Sequence, residues 1–180
     1  MIEFSDVSKS FGPSKIAVDH LSLTVNDGEI FGFLGPNGAG KTTSIKMMTG
    51  ILKPDSGRIK INGIDITENP IEAKKQFGYV PDSPDQLLRL KGIEYLDFMA
   101  DMYDVPLELR EERIKKFADE FEMSKALGNT IQSYSHGMRQ KIVIIGALLH
   151  DPAVWILDEP LTGLDPKSAY TLKQRMRQHA

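Results

Sequence analysis

The chain has 180 residues, enough for one domain, or one domain with a small appendage, around a sizeable buried core. Its net charge of −3 and pI of 5.8 argue against electrostatic binding of nucleic acid as its main activity. The sequence holds no cysteine, which excludes disulfides, thiolate metal sites and thiol catalysis and fits a reducing compartment.

Residues 1–6 lack the basic and apolar regions of a secretion signal. Short stretches rich in β-branched and apolar residues then predict strands at 2–7, 21–25 and 29–34. Between the last two, Asn26-Asp27-Gly28 is a turn signal that predicts a hairpin. Ile30, Phe31, Gly32, Phe33 and Leu34 read as a buried strand, and residues 43–50 have helical spacing. Between that strand and that helix stands Gly35-Pro36-Asn37-Gly38-Ala39-Gly40-Lys41-Thr42-Thr43.

Strand, glycine loop and helix in that order are the context in which the pattern G-x-x-x-x-G-K-[ST] binds nucleotide phosphates. The glycines let backbone N–H groups close around the β- and γ-phosphates, and the helix N-terminus adds its partial positive charge. Lys41 supplies a full charge, and the Thr42 hydroxyl is placed to ligate Mg²⁺.

Further along, 58–61 and 64–66 predict a strand pair joined through Asn62-Gly63, and 77–80 a strand ended by Pro81. These pieces suggest a small antiparallel β layer beside the nucleotide. From about 90 to 123 the pattern is helical, with Ile114, Phe117, Ala118 and Phe121 on one apolar face. The intervening Arg113, Lys115, Lys116, Asp119 and Glu120 read as a solvated face. A second helix, 137–149, is apolar all round in its later half and reads as buried; its apolar run 142–149 is far too short to span a bilayer. Residues 153–157 read as a fully buried strand with Trp155 in the core, and Pro166 opens a last helix. Strands alternating with helices indicate an α/β domain with a mostly parallel core sheet, without internal repeats or low-complexity linkers.

The strand at 153–157 ends in Asp158-Glu159. A P-loop enzyme needs a carboxylate at such a strand end to hold Mg²⁺, and Asp158 fits. Hydrolysis needs a group that polarises the attacking water, and Glu159 is a natural general base.

These two elements, with four more in the same order, resemble the ATP-binding subunit of an ABC transporter over essentially the whole chain. Tyr134-Ser135-His136-Gly137-Met138-Arg139-Gln140-Lys141 is similar to the family's signature segment, usually Leu-Ser-Gly-Gly-Gln. Ser135 and Gly137 stand where a helix begins, so hydroxyl and backbone N–H groups can meet an anion; the resemblance makes that anion the γ-phosphate of ATP held by a second subunit. Thr162-Gly163-Leu164-Asp165 resembles the D-loop, which crosses the same interface. Gly78-Tyr79-Val80-Pro81-Asp82 resembles the Q-loop, which reaches Mg²⁺ and faces the membrane subunit. Phe11 stands where the family stacks an aromatic on adenine, and a core aromatic is the other reading of it.

The chain departs from the pattern in places. Asp82 replaces a glutamine and is shorter and charged. His136 and Met138 replace glycine and glutamine; His136 either donates to phosphate or merely tolerates the helix start. The family's switch histidine lies one helix and one strand beyond the D-loop, and the missing strand belongs between the glycine-loop strand and that of Asp158. The expectation is therefore that residues 1–180 are the N-terminal part of a longer ABC ATP-binding domain, binding nucleotide weakly and hydrolysing it poorly, with a helical subdomain at about 83–135.

The resemblance implies ATP and Mg²⁺, a second ATP-binding subunit in a homodimer or heterodimer, transmembrane permease subunits, no nucleic acid, and a peripheral place at the cytoplasmic face of the membrane. It favours exporter-type bacterial ATPases. Two alternatives remain open: a soluble ATPase of the same family acting on ribosomes or DNA, and a nucleotide-binding module with little turnover.

Overall fold

The computed structural model describes residues 1–180 except Pro13 and Gln86. It divides into two compact units, residues 1–77 with 179–180, and residues 78–178.

In the first unit, strands β1 (Ile2–Ser10), β2 (Ile16–Val25), β3 (Ser56–Ile61) and β4 (Ile64–Asp65) form an antiparallel sheet in the order β2-β1-β3-β4. Alternating side chains of β1 and β3 make its core, with Ile2, Phe4, Val7, Ile59 and Ile61 buried. The register of β1 slips between Phe4 and Val7, where Asp6 takes φ 53°. That irregularity presses the Asp6 carbonyl against Gly57, where a Cβ would lie 2.3 Å from the oxygen. The β3–β4 hairpin turns through Asn62 and Gly63 at φ 50° and 79°, as the Asn-Gly pair predicts. Helices α1 (Lys41–Met48) and α2 (Pro70–Lys75) complete the unit.

Two expectations fail here. Residues 29–34 form no strand, because among the described residues nothing supplies the ladder partners a strand requires. Ile30, Phe31 and Leu34 are exposed despite their apolar character. The hairpin predicted at Asn26-Asp27-Gly28 is also absent: the segment turns, but β2 has already paired with β1.

In the second unit, β5 (Phe77–Val80), which starts at the boundary, lies beside β6 (Val154–Leu157). Around them run α3 (Gly92–Met102), α4 (Leu107–Glu120), a single 3-10 turn (Ile131–Ser133), α5 (His136–Leu148) and α6 (Pro166–His179). The predicted helical stretch 90–123 is thus two helices, parted at Val105-Pro106, where proline disfavours helix in the residue before it. Helix α5 is the centre: every residue from Gln140 to Leu148 is buried. Gly78 of β5 lets strand and helix touch, since a Cβ there would stand 2.2 Å from the Ala147 carbonyl. The apolar face of α4 packs as predicted, with Ile114, Ala118 and Phe121 buried.

The solvated face of α4 needs correction. Lys115, Lys116 and Asp119 are exposed, but Arg113 donates to the Leu149 carbonyl at 2.7 Å and Glu120 accepts from Arg175 Nε at 2.8 Å. Strand β6 is not fully buried either: only Ile156 is, because β5 is its sole ladder neighbour among the described residues. Trp155 packs against the core while partly exposed. Replacing Ile145, which is fully buried, with alanine should cost the second unit about 3–4 kcal/mol. Lys115→Ala should stay within about 0.5 kcal/mol; urea midpoints of the two variants check both values.

Candidate functional site

The first unit carries the glycine loop. Helix α1 begins after Gly40, which sits in the left-handed region at φ 84° and leaves the helix without a side-chain cap. A Cβ at Gly40 would lie 2.3 Å from the Ala17 carbonyl, so close approach and backbone angle both demand glycine. The first intrahelical bond runs from Ser44 N–H to the Gly40 carbonyl at 2.8 Å. The preceding N–H groups, through Lys41, Thr42 and Thr43, have no acceptor within the helix. Lys41 Nζ folds back over the loop and donates to the Gly35 and Pro36 carbonyls at 2.7 and 2.8 Å. Pro36, Asn37, Gly38 and Ala39 form the exposed crest, and Thr42 is exposed beside it. A cation beside a helix N-terminus that has no side-chain cap is chemically an anion site. Phe11, also in this unit, is 50% exposed, which removes the reading of it as a core aromatic.

In the second unit the ends of β5 and β6 gather three acids. Asp158 N–H donates to the Val80 carbonyl at 2.8 Å. Burial pushes the Tyr79 phenol up to about 12, and the negative charges of Asp158 and Asp82 add to the shift. Asp158 is buried, while Asp82 and Glu159 are exposed. Glu159 takes φ 49°, a strained conformation for glutamate, held by Pro160 on one side and a bond from Thr162 N–H to its carbonyl at 3.0 Å.

The signature-like segment stands at the start of α5. Ser135 is the N-cap, its Oγ accepting from Met138 N–H at 3.3 Å while its own hydroxyl proton stays available to an acceptor. His136 is not idle: a Cβ on Gly163 would lie 2.3 Å from its Cδ2, so the imidazole covers the turn at 161–163. Gly137 packs equally closely on the Gly163 carbonyl, 2.5 Å from a Cβ position. Gln140 donates to the Pro160 carbonyl at 3.3 Å, and Lys141 reaches Asp165 at 2.7 Å. Asp165 also caps α6 by accepting from Ser168 N–H and Oγ at 2.9 and 2.8 Å. Both its oxygens therefore have partners within the chain. Lys141 and the Ser168 donors hold its carboxyl well below the usual carboxylate range.

Sequence reading named no role for Gln140 and Lys141. A signal existed: two polar residues in a helix otherwise apolar from 142 onward must find partners if buried. The predicted donors for magnesium, the Thr42 hydroxyl with the Asp158 and Asp82 carboxylates, are all oxygen, which suits so hard a cation. Among the described residues no group of three or more His, Cys, Asp or Glu side chains forms a metal cage.

A glycine loop closing on an uncapped helix, within strands and helices of this order, defines an α/β fold of the P-loop ATPase class. The family model described as ABC transporter matches residues 18–162, and the chain belongs to that family. It is 37% identical over 177 residues to the uncharacterized ABC transporter ATP-binding protein YhcH of Bacillus subtilis, covering 98% of this chain and 57% of that protein. It is 34% identical over 180 residues to the Nod factor export ATP-binding protein I of Burkholderia lata, covering 98% and 58%. A solved structure of the ATP-binding subunit of an ABC transporter superposes with a TM-score of 0.93 at 32% identity, over 99% of this chain and 74% of that one. The chain thus spans a little over half the length of these two curated relatives.

The Asp165 cluster has a pH signature. A carboxyl whose folded pKa is depressed contributes stability that is complete above the unfolded value of 3.8 and is lost as pH falls below it. Asp165→Asn should cost on the order of 1 kcal/mol at pH 7, the carboxylate being half exposed and screened. Denaturant midpoints of the two proteins should draw together progressively as pH falls below about 4.

Proposed function

We propose that the chain is the ATP-binding and ATP-hydrolysing part of an ABC transporter, driving transport through membrane-embedded partner subunits. The observation that carries this is the glycine loop, with no side-chain cap at the start of α1 and Lys41 Nζ folded onto the Gly35 and Pro36 carbonyls. A triphosphate would offer Lys41 anionic oxygens in place of the two neutral loop carbonyls and take both the cation and the helix N-terminus.

The remaining roles are assigned by the family pattern and by the chemistry of each group. Lys41 and the loop from Gly35 to Thr43 bind the phosphates, and Phe11 stacks on the adenine. Thr42 and Asp158, with Asp82 nearby in the pattern, would hold Mg²⁺, which when bound would offset the charge building on the transferred phosphoryl group. Glu159 accepts a proton from the attacking water. Ser135, His136 and Gly137, with Asp165, serve the nucleotide of a second copy or a paralogue in a two-fold dimer. ATP would favour the closed pair and hydrolysis its reopening, which is the mechanical step. Residues 1–180 form the ABC ATP-binding domain in this proposal, and 83–135 its helical subdomain.

Export is the direction we assign, supported by the export function in the name of the Burkholderia lata relative. Among the described residues no helix is long and apolar enough to cross a membrane. By the family pattern, the proposal places the chain at the cytoplasmic face, held there by its partners. Glu159→Gln in the full-length protein should leave ATP binding within about twofold and slow phosphate release by about 100-fold or more. Steady-state phosphate release with parallel nucleotide titration measures both. Undiminished turnover removes Glu159 from its role, and no turnover in the parent protein refutes the ATPase reading.

A further inference from the structure

Arg139 lies one turn into α5, its N–H bonded to the Ser135 carbonyl at 3.0 Å. Its guanidinium reaches back past the helix start in three directions. Nε donates to the Ile131 carbonyl at 3.3 Å, Nη2 to the Gln132 carbonyl at 2.9 Å, and Nη1 to Asp85 Oδ1 at 2.7 Å. The two carbonyls belong to the 3-10 turn Ile131–Ser133; that of Ile131 also accepts from Tyr134 N–H at 3.0 Å, and Arg139 adds a donor to each. Only a planar fork with several fixed donors meets three such acceptors at once, so lysine is not an equivalent here.

The third contact joins two regions separate in sequence. The loop after β5 opens at Asp82, and its far end is tied to the same turn by backbone bonds, Gln132 N–H to the Leu88 carbonyl and Ile131 N–H to the Leu90 carbonyl, both at 2.9 Å. Asp85 extends that attachment toward Asp82, and it is bonded to the residue that braces the approach to Ser135. The pair is accessible, with side-chain exposures of 22% and 51%, so it adds little to global stability. Its consequence is geometric: it ties the turn before Ser135 to Asp85, three residues from Asp82.

We propose that Arg139 is a positioning residue that, through Asp85, relays engagement of the Ser135 segment by nucleotide to the loop beginning at Asp82. This rests on the function proposed above for those two segments. A relay of this kind is a physical connection whose two ends must respond together.

Hydrogen exchange read by mass spectrometry, with and without MgATP, tests it on the full-length protein carrying Glu159→Gln. In that parent, MgATP should slow exchange in peptides covering both 134–138 and 82–90. Asp85→Ala should keep the slowing at 134–138 within twofold and reduce that at 82–90 at least fivefold. Asp85→Glu, which preserves the ion pair, should restore it, and melting temperatures should stay within about 2 °C, as expected for a surface pair. Full slowing at 82–90 in Asp85→Ala overturns the relay, as does a parent in which 134–138 responds and 82–90 does not. A parent that binds MgATP with no response at 134–138 overturns the signature reading, and the relay with it.

Discussion

Gly40 sits beneath the Ala17 carbonyl with no room for a Cβ, and α1 starts from it without a cap. An eight-residue helix is marginal alone; burial of Ile45, Met47 and Met48 holds it in place. Its N-terminal donors are thereby fixed in direction, with no side-chain cap to take them. Leaving N–H groups unsatisfied costs stability unless water or a ligand takes them. The same arrangement that weakens the helix as an isolated element suits it, in the proposed function, to receive phosphate oxygens. Lys41, resting on two loop carbonyls, keeps a positive charge at hand without a carboxylate to neutralise it.

The second unit solves a different problem at the start of α5. A helix buried from Gln140 onward must orient loops that chemistry needs at the surface. It does so with the polar residues of its first turns: His136 and Gly137 against Gly163, Arg139 toward 131, 132 and Asp85, Gln140 toward Pro160, and Lys141 toward Asp165. Each bond is modest, but together they index two loops to one rigid rod. The strain at Glu159 falls inside the turn those contacts stabilise, where the surrounding bonds can hold an unfavourable backbone angle.

Local chemistry made much of this legible. The Asn62-Gly63 turn, the helix opening at Pro166, the Ser135 cap and the α4 face follow from backbone preferences and periodicity acting over a few residues. Residues 29–34 were misleading because an apolar composition reports a wish for burial, whereas a strand exists only with partners along its edges. Strand β6 shows the same limit, being apolar yet only partly covered. The tertiary bonds of Arg113, Glu120 and Arg139 could not be read because charge on a helix looks alike whether it meets water or a distant carbonyl. The P-loop pattern is local for the opposite reason, since its fixed glycines, lysine and threonine answer, in the proposed function, to one small, highly charged ligand.

Everything said of function rests on the loop ending at Lys41 taking a nucleoside triphosphate. Calorimetric titration of MgATP into the protein and its Lys41→Ala variant tests that most directly. One ATP per chain, with affinity falling about 30-fold on loss of a single charge-assisted contact, is the predicted result. Equal affinity in the two proteins, or no binding by either, would contradict it.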